Sequence, residues 1–279
     1  MKALELIKIG SDLLKQKEVP SYLLDSEILL SKTLRKSREE LLINLDIEIN
    51  QKSYLKFKEY LLRRSKKEPI AYILEEKEFW SKNFLITKNA LIPRPETELL
   101  VEKLIKIYEN KKTIILDIGT GSGCIILSLL SNLKNSKGIG VDISNGAISL
   151  AKKNAIIQKL HLRTKFFNKS FEKVFNKKFD LIVSNPPYIE AKDIKNLSDD
   201  IKKYEPRVAL DGGNDGLDLI KKIIYKSKRI LKIKGMLALE IGKEQYKIVS
   251  KILVKNNFRV KHIIKDYKNN IRCVLAEYN

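Results

Sequence analysis

The chain has 279 residues, 43% of them hydrophobic, enough for one large domain or two small ones with a sizeable core. No apolar run nears the roughly 20 residues needed to cross a bilayer, and the opening MKALELIKIGSDLLKQKE is amphipathic and mixed in charge, unlike a signal peptide; a cytoplasmic protein with no membrane partner is expected. Two cysteines, Cys124 and Cys273, sit in apolar stretches, and with only His161 and His262 beside them there is neither a disulfide framework nor a ligand set for zinc, so no metal is expected.

Residues 1–72 read as a small helical domain. Apolar residues recur at helical spacing through Leu4, Ile7, Leu13 and Leu14, then Leu23 to Leu30, then Leu41, Leu42 and Leu45. Pro20-Ser21 marks a helix start, and residues 53–65 place Tyr54, Phe57, Leu61 and Leu62 on one side of another helix. No catalytic constellation falls here, which suits a partner-recognition module. Residues 73–97 read as a β-hairpin and linker: Glu78-Phe79-Trp80-Ser81 and Phe84-Leu85-Ile86-Thr87 form two short extended runs. They lead into Ile92-Pro93-Arg94-Pro95-Glu96-Thr97-Glu98, which is either an active-site edge or a plain linker.

From residue 98 to 279 helical and extended patterns alternate. Helices are expected at 98–108, 124–132, 145–159, 217–231 and 243–256, and strands at 113–118, 138–142, 164–167, 179–184, 235–241, 260–264 and 271–276. Alternation of this kind implies a mostly parallel sheet covered on both faces. The last two strands have no helix between them and predict a terminal antiparallel hairpin.

Three features carry chemistry. Asp117-Ile118-Gly119-Thr120-Gly121-Ser122-Gly123 joins a strand to a helix, where glycines allow a sharp turn and close approach of a ligand. The pattern is G-x-G-x-G, with Cys124 where a dinucleotide loop has its third glycine, and no P-loop lysine follows. A pyrophosphate is therefore disfavoured against a nucleoside carrying an amino-acid tail; a purely structural turn is the alternative. Asp142 ends the next strand, suited to accept hydrogen bonds from ribose hydroxyls. Its alternative role is a helix cap, which Ser144 or Asn145 serves as well. The third feature is Asn185-Pro186-Pro187-Tyr188, after the apolar run 179–184. Two prolines end the strand in a fixed extended shape and leave one amide and one aromatic ring at its carboxyl end, suited to a planar nitrogen group. A bare strand-terminating turn is the bland reading.

Together these residues resemble the class I S-adenosylmethionine methyltransferase core. The runs IPRPETE, DIGTGSG and SNPPY, with Glu205-Pro206 and Asp211-Gly212-Gly213-Asn214-Asp215-Gly216-Leu217-Asp218, closely resemble the PrmC/HemK family over nearly the whole chain. The resemblance implies an α/β seven-stranded Rossmann-like fold behind a helical N-terminal domain, and S-adenosylmethionine as cofactor. It implies methyl transfer to the glutamine N5 of the Gly-Gly-Gln motif in peptide chain release factors; a monomer that does not require nucleic acid is expected. It further implies that the Asn185 oxygen and the Pro186 carbonyl accept the substrate amide's two N–H bonds while Tyr188 stacks on the amide. Pro187 completes the substrate turn, and Gly119, Thr120, Gly121, Ser122, Gly123, Asp142 and Asn185 line the cofactor. The family often has an acidic residue and an aromatic after the third strand; here Lys169 and Ser170 stand there, leaving Phe171 to stack on adenine and Asn168 or Ser170 to bond its amino group. Asn-Pro-Pro-Tyr also occurs in adenine-N6 DNA and RNA methyltransferases, which the net charge of +21 suits, although the lysines are scattered and equally reflect a lysine-rich composition. A non-catalytic binding module on the same fold is the remaining alternative.

Overall fold

A computed structural model describes residues 1–173 and 178–279. The chain divides into two compact units, residues 1–76 with 198–204, and residues 77–197 with 205–279.

The first unit is helical: α1 (Ala3–Gln16), α2 (Tyr22–Leu34), α3 (Arg38–Ile43), α4 (Gln51–Ser65) and α5 (Ile70–Leu74). Its core joins one face of each of the longer helices, with Leu6, Leu14, Leu29, Leu30 and Phe57 almost wholly buried. Helix starts follow local chemistry. Ser37 accepts the Glu40 N–H while Glu40 bonds back to the Ser37 N–H, a reciprocal cap, and Asn50 accepts the Ser53 N–H at the head of α4. Gly10 is where α1 packs closest, since a Cβ there would come within 2.4 Å of Ser26 Oγ and 2.9 Å of the Phe57 ring. The short helix Asp199–Tyr204 completes this unit.

The second unit opens with the two-stranded sheet of β1 (Glu76–Phe79) and β2 (Lys82–Leu85). There follow α6 (Pro95–Tyr108), β3 (Ile114–Ile118), α7 (Cys124–Asn132), β4 (Lys137–Asp142), α8 (Asn145–Ile157), β5 (Thr164–Asn168), β6 (Phe179–Ser184), α9 (Asp218–Ile230), β7 (Leu231–Glu240), α10 (Tyr246–Lys255), β8 (Phe258–Lys265) and β9 (Ile271–Tyr278). Seven strands form one sheet in the order β5-β4-β3-β6-β7-β9-β8. The first five are parallel; β9 runs antiparallel between β7 and β8. The expected α/β fold with its terminal hairpin is thus present. β3 and β6 are nearly continuous apolar runs because both faces of the sheet are covered.

Strand order reverses between β3 and β6, so the chain leaves these neighbours in opposite directions along the sheet. Their carboxyl ends part there, the place where open α/β sheets bind ligands. The glycine loop follows β3 and Asn185 follows β6. β7 starts at Leu231 rather than at Gly235, because α9 passes directly into the strand with Leu231 already extended. Among the described residues no helix is long and apolar enough to cross a membrane.

Candidate functional site

A cavity of about 500 Å3 lies at this switch point, lined by residues of the second unit. Of the residues singled out in the sequence, Gly119, Thr120, Gly121, Ser122, Asp142, Ser170, Phe171, Asn185 and Pro187 line it; Gly123, Pro186 and Tyr188 do not.

The glycine loop is shaped by its own backbone. Gly119, Gly121 and Gly123 have φ of 69°, 55° and 81°, conformations that favour glycine. Among the described residues, a Cβ on Gly119 would meet nothing within 4 Å, and one on Gly121 only Ala90 Cβ at 3.9 Å, so both glycines face open space that a ligand can enter. Gly123 serves packing instead, with Leu127 and Ala151 at 3.1 and 3.3 Å from its would-be Cβ. Asn154 fastens the loop from below: its amide accepts from Leu85 N–H and donates to the carbonyls of Leu85 and Ser122.

Asp117 is wholly buried beneath the loop. Thr120 donates to its Oδ2 at 2.7 Å, while Oδ1 has no hydrogen-bond partner among the described residues. Burial pushes its carboxyl up to about 7, with the Asp142 charge adding to the shift and the Thr120 bond opposing it. Asp142 accepts the Gly121 N–H on Oδ2 at 3.0 Å and the Ser144 N–H on Oδ1 at 2.9 Å. Burial raises its pKa also, against these backbone bonds. The cap of α8 is Ser144, which accepts the Ala147 N–H, so Asp142 is not spent on that task. After β5, Asn168 turns its amide to the carbonyls of Asp142 and Ile143, and Phe171 is buried in the main core while bordering the cavity.

The turn after β6 is held by distant side chains. Ser184 Oγ donates to the Ile118 carbonyl, tying β6 to β3 at the mouth. Asn185 Nδ2 donates to Thr97 Oγ at 3.3 Å, and Thr97 Oγ donates to Glu240 Oε2 at 2.6 Å. Tyr188 donates its hydroxyl proton to Glu240 Oε1 at 3.3 Å and accepts from Arg272 Nη2 at 2.9 Å. Arg272 also sits 5.6 Å from the Tyr188 ring centre. Glu240 is 1% exposed; burial raises its pKa, opposed by the Thr97 bond and the Arg272 charge. Burial likewise pushes the Tyr188 phenol up to about 12. Thr97 reaches this place because Pro95 starts α6 as its first residue, putting Thr97 in the first turn.

The run from Glu205 to Asp218 braces the same turn. Ile189 bridges to Asp211, its N–H bonds the Leu210 carbonyl, and the Gly212 N–H bonds the Ile189 carbonyl. Gly216 has φ of 68°, and a Cβ on it would lie 2.4 Å from the Tyr188 carbonyl. Gln245 Nε2 donates to the carbonyls of both Tyr188 and Gly216. At the cavity wall, Arg94 pairs with Glu205, 1% exposed at the side chain, at 2.6 Å. Glu240, Arg272, Gln245 and Asn154 were not anticipated from sequence. Only Glu240 left a local signal, an acid closing an otherwise apolar run at 235–241.

A mostly parallel sheet of this order, with a glycine loop after one central strand, an acid after the next and Asn-Pro-Pro-Tyr at the switch point, defines a class I S-adenosylmethionine-dependent methyltransferase. Comparison with known proteins agrees. Residues 5–74 match the family model "PrmC N-terminal domain" and residues 95–204 the model "Methyltransferase small domain". The chain is 42% identical to the release factor glutamine methyltransferase of Clostridium acetobutylicum, over 97% of this chain and 96% of that one. It is 40% identical to that of Fusobacterium nucleatum, over 98% of this chain and 78% of that one. A solved methyltransferase from Pyrococcus furiosus shares the fold with a TM-score of 0.53 at 18% identity, over 70% of this chain and 87% of that one. The chain belongs to the release factor glutamine methyltransferase family.

Proposed function

We propose that this chain transfers a methyl group from S-adenosylmethionine to the side-chain amide nitrogen, N5, of the glutamine in the Gly-Gly-Gln motif of peptide chain release factors. The observation that carries this reading is the seat of Asn185. It stands on the cavity wall at the switch point with its NH2 tied to Thr97, which leaves its Oδ1 to accept a hydrogen bond. Near-full-length similarity to release factor glutamine methyltransferases supports the substrate class.

The residues present suit the cofactor. Gly119 and Gly121 leave open space against the loop backbone, and Asp142 keeps lone pairs on both oxygens for ribose hydroxyls. When bound, the cofactor supplies a methyl carbon bonded to a positively charged sulfur. Phe171 and Ser170 border the cavity on the side assigned to adenine.

The substrate presents a primary amide, whose nitrogen is a poor nucleophile because its lone pair is delocalised into the carbonyl. Asn185 Oδ1 and the Pro186 carbonyl each accept one of its N–H bonds, which fixes the amide plane and favours a more tetrahedral nitrogen. The Tyr188 hydroxyl, held between Glu240 and Arg272, fixes the ring proposed to stack on that plane. The nitrogen would gain the methyl as the methyl–sulfur bond breaks with its electron pair left on sulfur, and would afterwards release one proton to solvent, so no strong general base is required. Positioning of this kind supplies up to about 7–11 kcal/mol of barrier lowering. Transfer of labelled methyl to a purified release factor, lost when the acceptor glutamine is replaced, tests the reading; label that persists on the replaced factor would contradict it.

A further inference from the structure

Asn185 is an amide, and an amide can be seated two ways: oxygen toward the substrate or NH2 toward it. Only the first can accept an N–H bond from the glutamine nitrogen; the second would meet that nitrogen donor to donor. The turn itself does not decide between them, since the prolines fix backbone and not the Asn185 side-chain torsion. The choice is made by groups distant in sequence.

Glu240 as a carboxylate only accepts hydrogen bonds. Both its oxygens are engaged, Oε2 by Thr97 and Oε1 by Tyr188. Thr97 has a single proton, and the 2.6 Å contact commits it to Glu240. Its hydroxyl therefore meets Asn185 as an acceptor, and the Asn185 atom that faces it is Nδ2, at 3.3 Å. The Asn185 oxygen is thereby left for the cavity. Tyr188 works in the same direction: Arg272 donates to the phenol oxygen, so the phenol proton points to Glu240. The arginine brings the positive charge that a carboxylate buried to 1% exposure requires.

We infer that Glu240 and Thr97 are positioning residues that set the orientation of the Asn185 amide, and through it the enzyme's selectivity for an amide nitrogen over a carboxylate at the acceptor position. Neither touches the reacting atoms. The inference rests on the proposed function, and it separates from that reading by experiment.

The test uses the full chain with Thr97→Val, Thr97→Ser and Glu240→Gln, S-adenosylhomocysteine as a cofactor-site probe, and two release factors, one natural and one with its acceptor glutamine changed to glutamate. Thr97→Val keeps the shape and removes the acceptor. Turnover is expected to fall about 10- to 100-fold, the scale of one lost buried hydrogen bond, with KM for the factor and affinity for S-adenosylhomocysteine changed little. Thr97→Ser restores the acceptor and recovers turnover, which a role in packing alone would not allow. Glu240→Gln lets its own NH2 donate to Thr97, frees the Thr97 proton for the Asn185 oxygen, and turns the Asn185 NH2 to the cavity. Binding of the glutamate factor relative to the natural one is then expected to strengthen. Should Glu240→Gln fail to fold, the Thr97 pair decides alone. Thr97→Val turning over like the parent, Thr97→Ser no better than Thr97→Val, or a folded Glu240→Gln with unmoved discrimination would overturn the inference. A parent chain that transfers no methyl to the natural factor would instead refute the functional reading.

Discussion

The two ends of the cavity are built by different means. The end assigned to the cofactor is made of short-range parts: Gly119, Gly121 and Asp142 lie within a single strand–helix–strand passage, and the Gly121 N–H bonds Asp142 across one strand pairing. The acceptor end is assembled from remote pieces. Asn185 depends on Thr97, 88 residues away, and Thr97 on Glu240, 143 residues away. Tyr188 depends on Arg272, 84 residues away. On the proposed assignment, a nucleoside is held largely by local geometry, whereas turning an amide oxygen toward a weak nucleophile draws on a chain of side chains with fixed donors and acceptors.

Breaking each end in turn sharpens this contrast. The largest effect is expected at the acceptor end, where Asn185→Ala removes one preorganised acceptor and lowers the rate by about 10²–10³, with cofactor affinity changed less; an unchanged rate in a methyl-transfer assay contradicts the role. At the other end, Asp142→Ala is expected to weaken cofactor binding by roughly 10- to 100-fold, as for lost hydrogen bonds to a charged group, read by titration calorimetry. A variant altered only in turnover would move Asp142 out of the ribose site. Arg94→Met removes the Arg94–Glu205 pair at the cavity wall. The side chain of Arg94 is 30% exposed, so a loss of about 1–3 kcal/mol in unfolding free energy is expected rather than the larger cost of a fully buried pair; an unshifted denaturant midpoint would show the pair to be dispensable.

A further effect is a slope with pH. Burial raises the Asp117 carboxyl to about 7, above its unfolded value, so between the two values the folded chain binds the extra proton. Stability from this group is present at acid pH and lost as pH rises toward 7, by at most about 1.4 kcal/mol per pH unit. Asp117→Asn is expected to flatten the fall of melting temperature over that window; an identical slope in parent and variant would contradict the assignment.

The same contrast explains what the sequence disclosed. The strands of the sheet and the longer helices were legible because their apolar periodicity is strong and their ends carry local signals, as Ser144 does at α8. Gly119, Gly121 and Asp142 were legible because turn chemistry is local. The helices Ile70–Leu74 and Asp199–Tyr204 escaped, being too short to show a period. Asn185 was visible from its prolines, but the residues that hold it were not. A threonine in the first turn of α6, a glutamate ending β7 and an arginine on β9 acquire a shared purpose only once the sheet order places them together. Tyr188 shows the same limit: its ring was legible as an aromatic at the turn, but its tether to Glu240 and Arg272, outside the cavity lining, was not.

The most direct test of the central claim is a methyl-transfer assay with labelled S-adenosylmethionine, offering a purified release factor and nucleic acid side by side to the parent chain. Label on the single Gly-Gly-Gln glutamine of the factor, and none on nucleic acid, is the predicted result. Label on nucleic acid alone would contradict the account and make the Asn185 turn an adenine clamp.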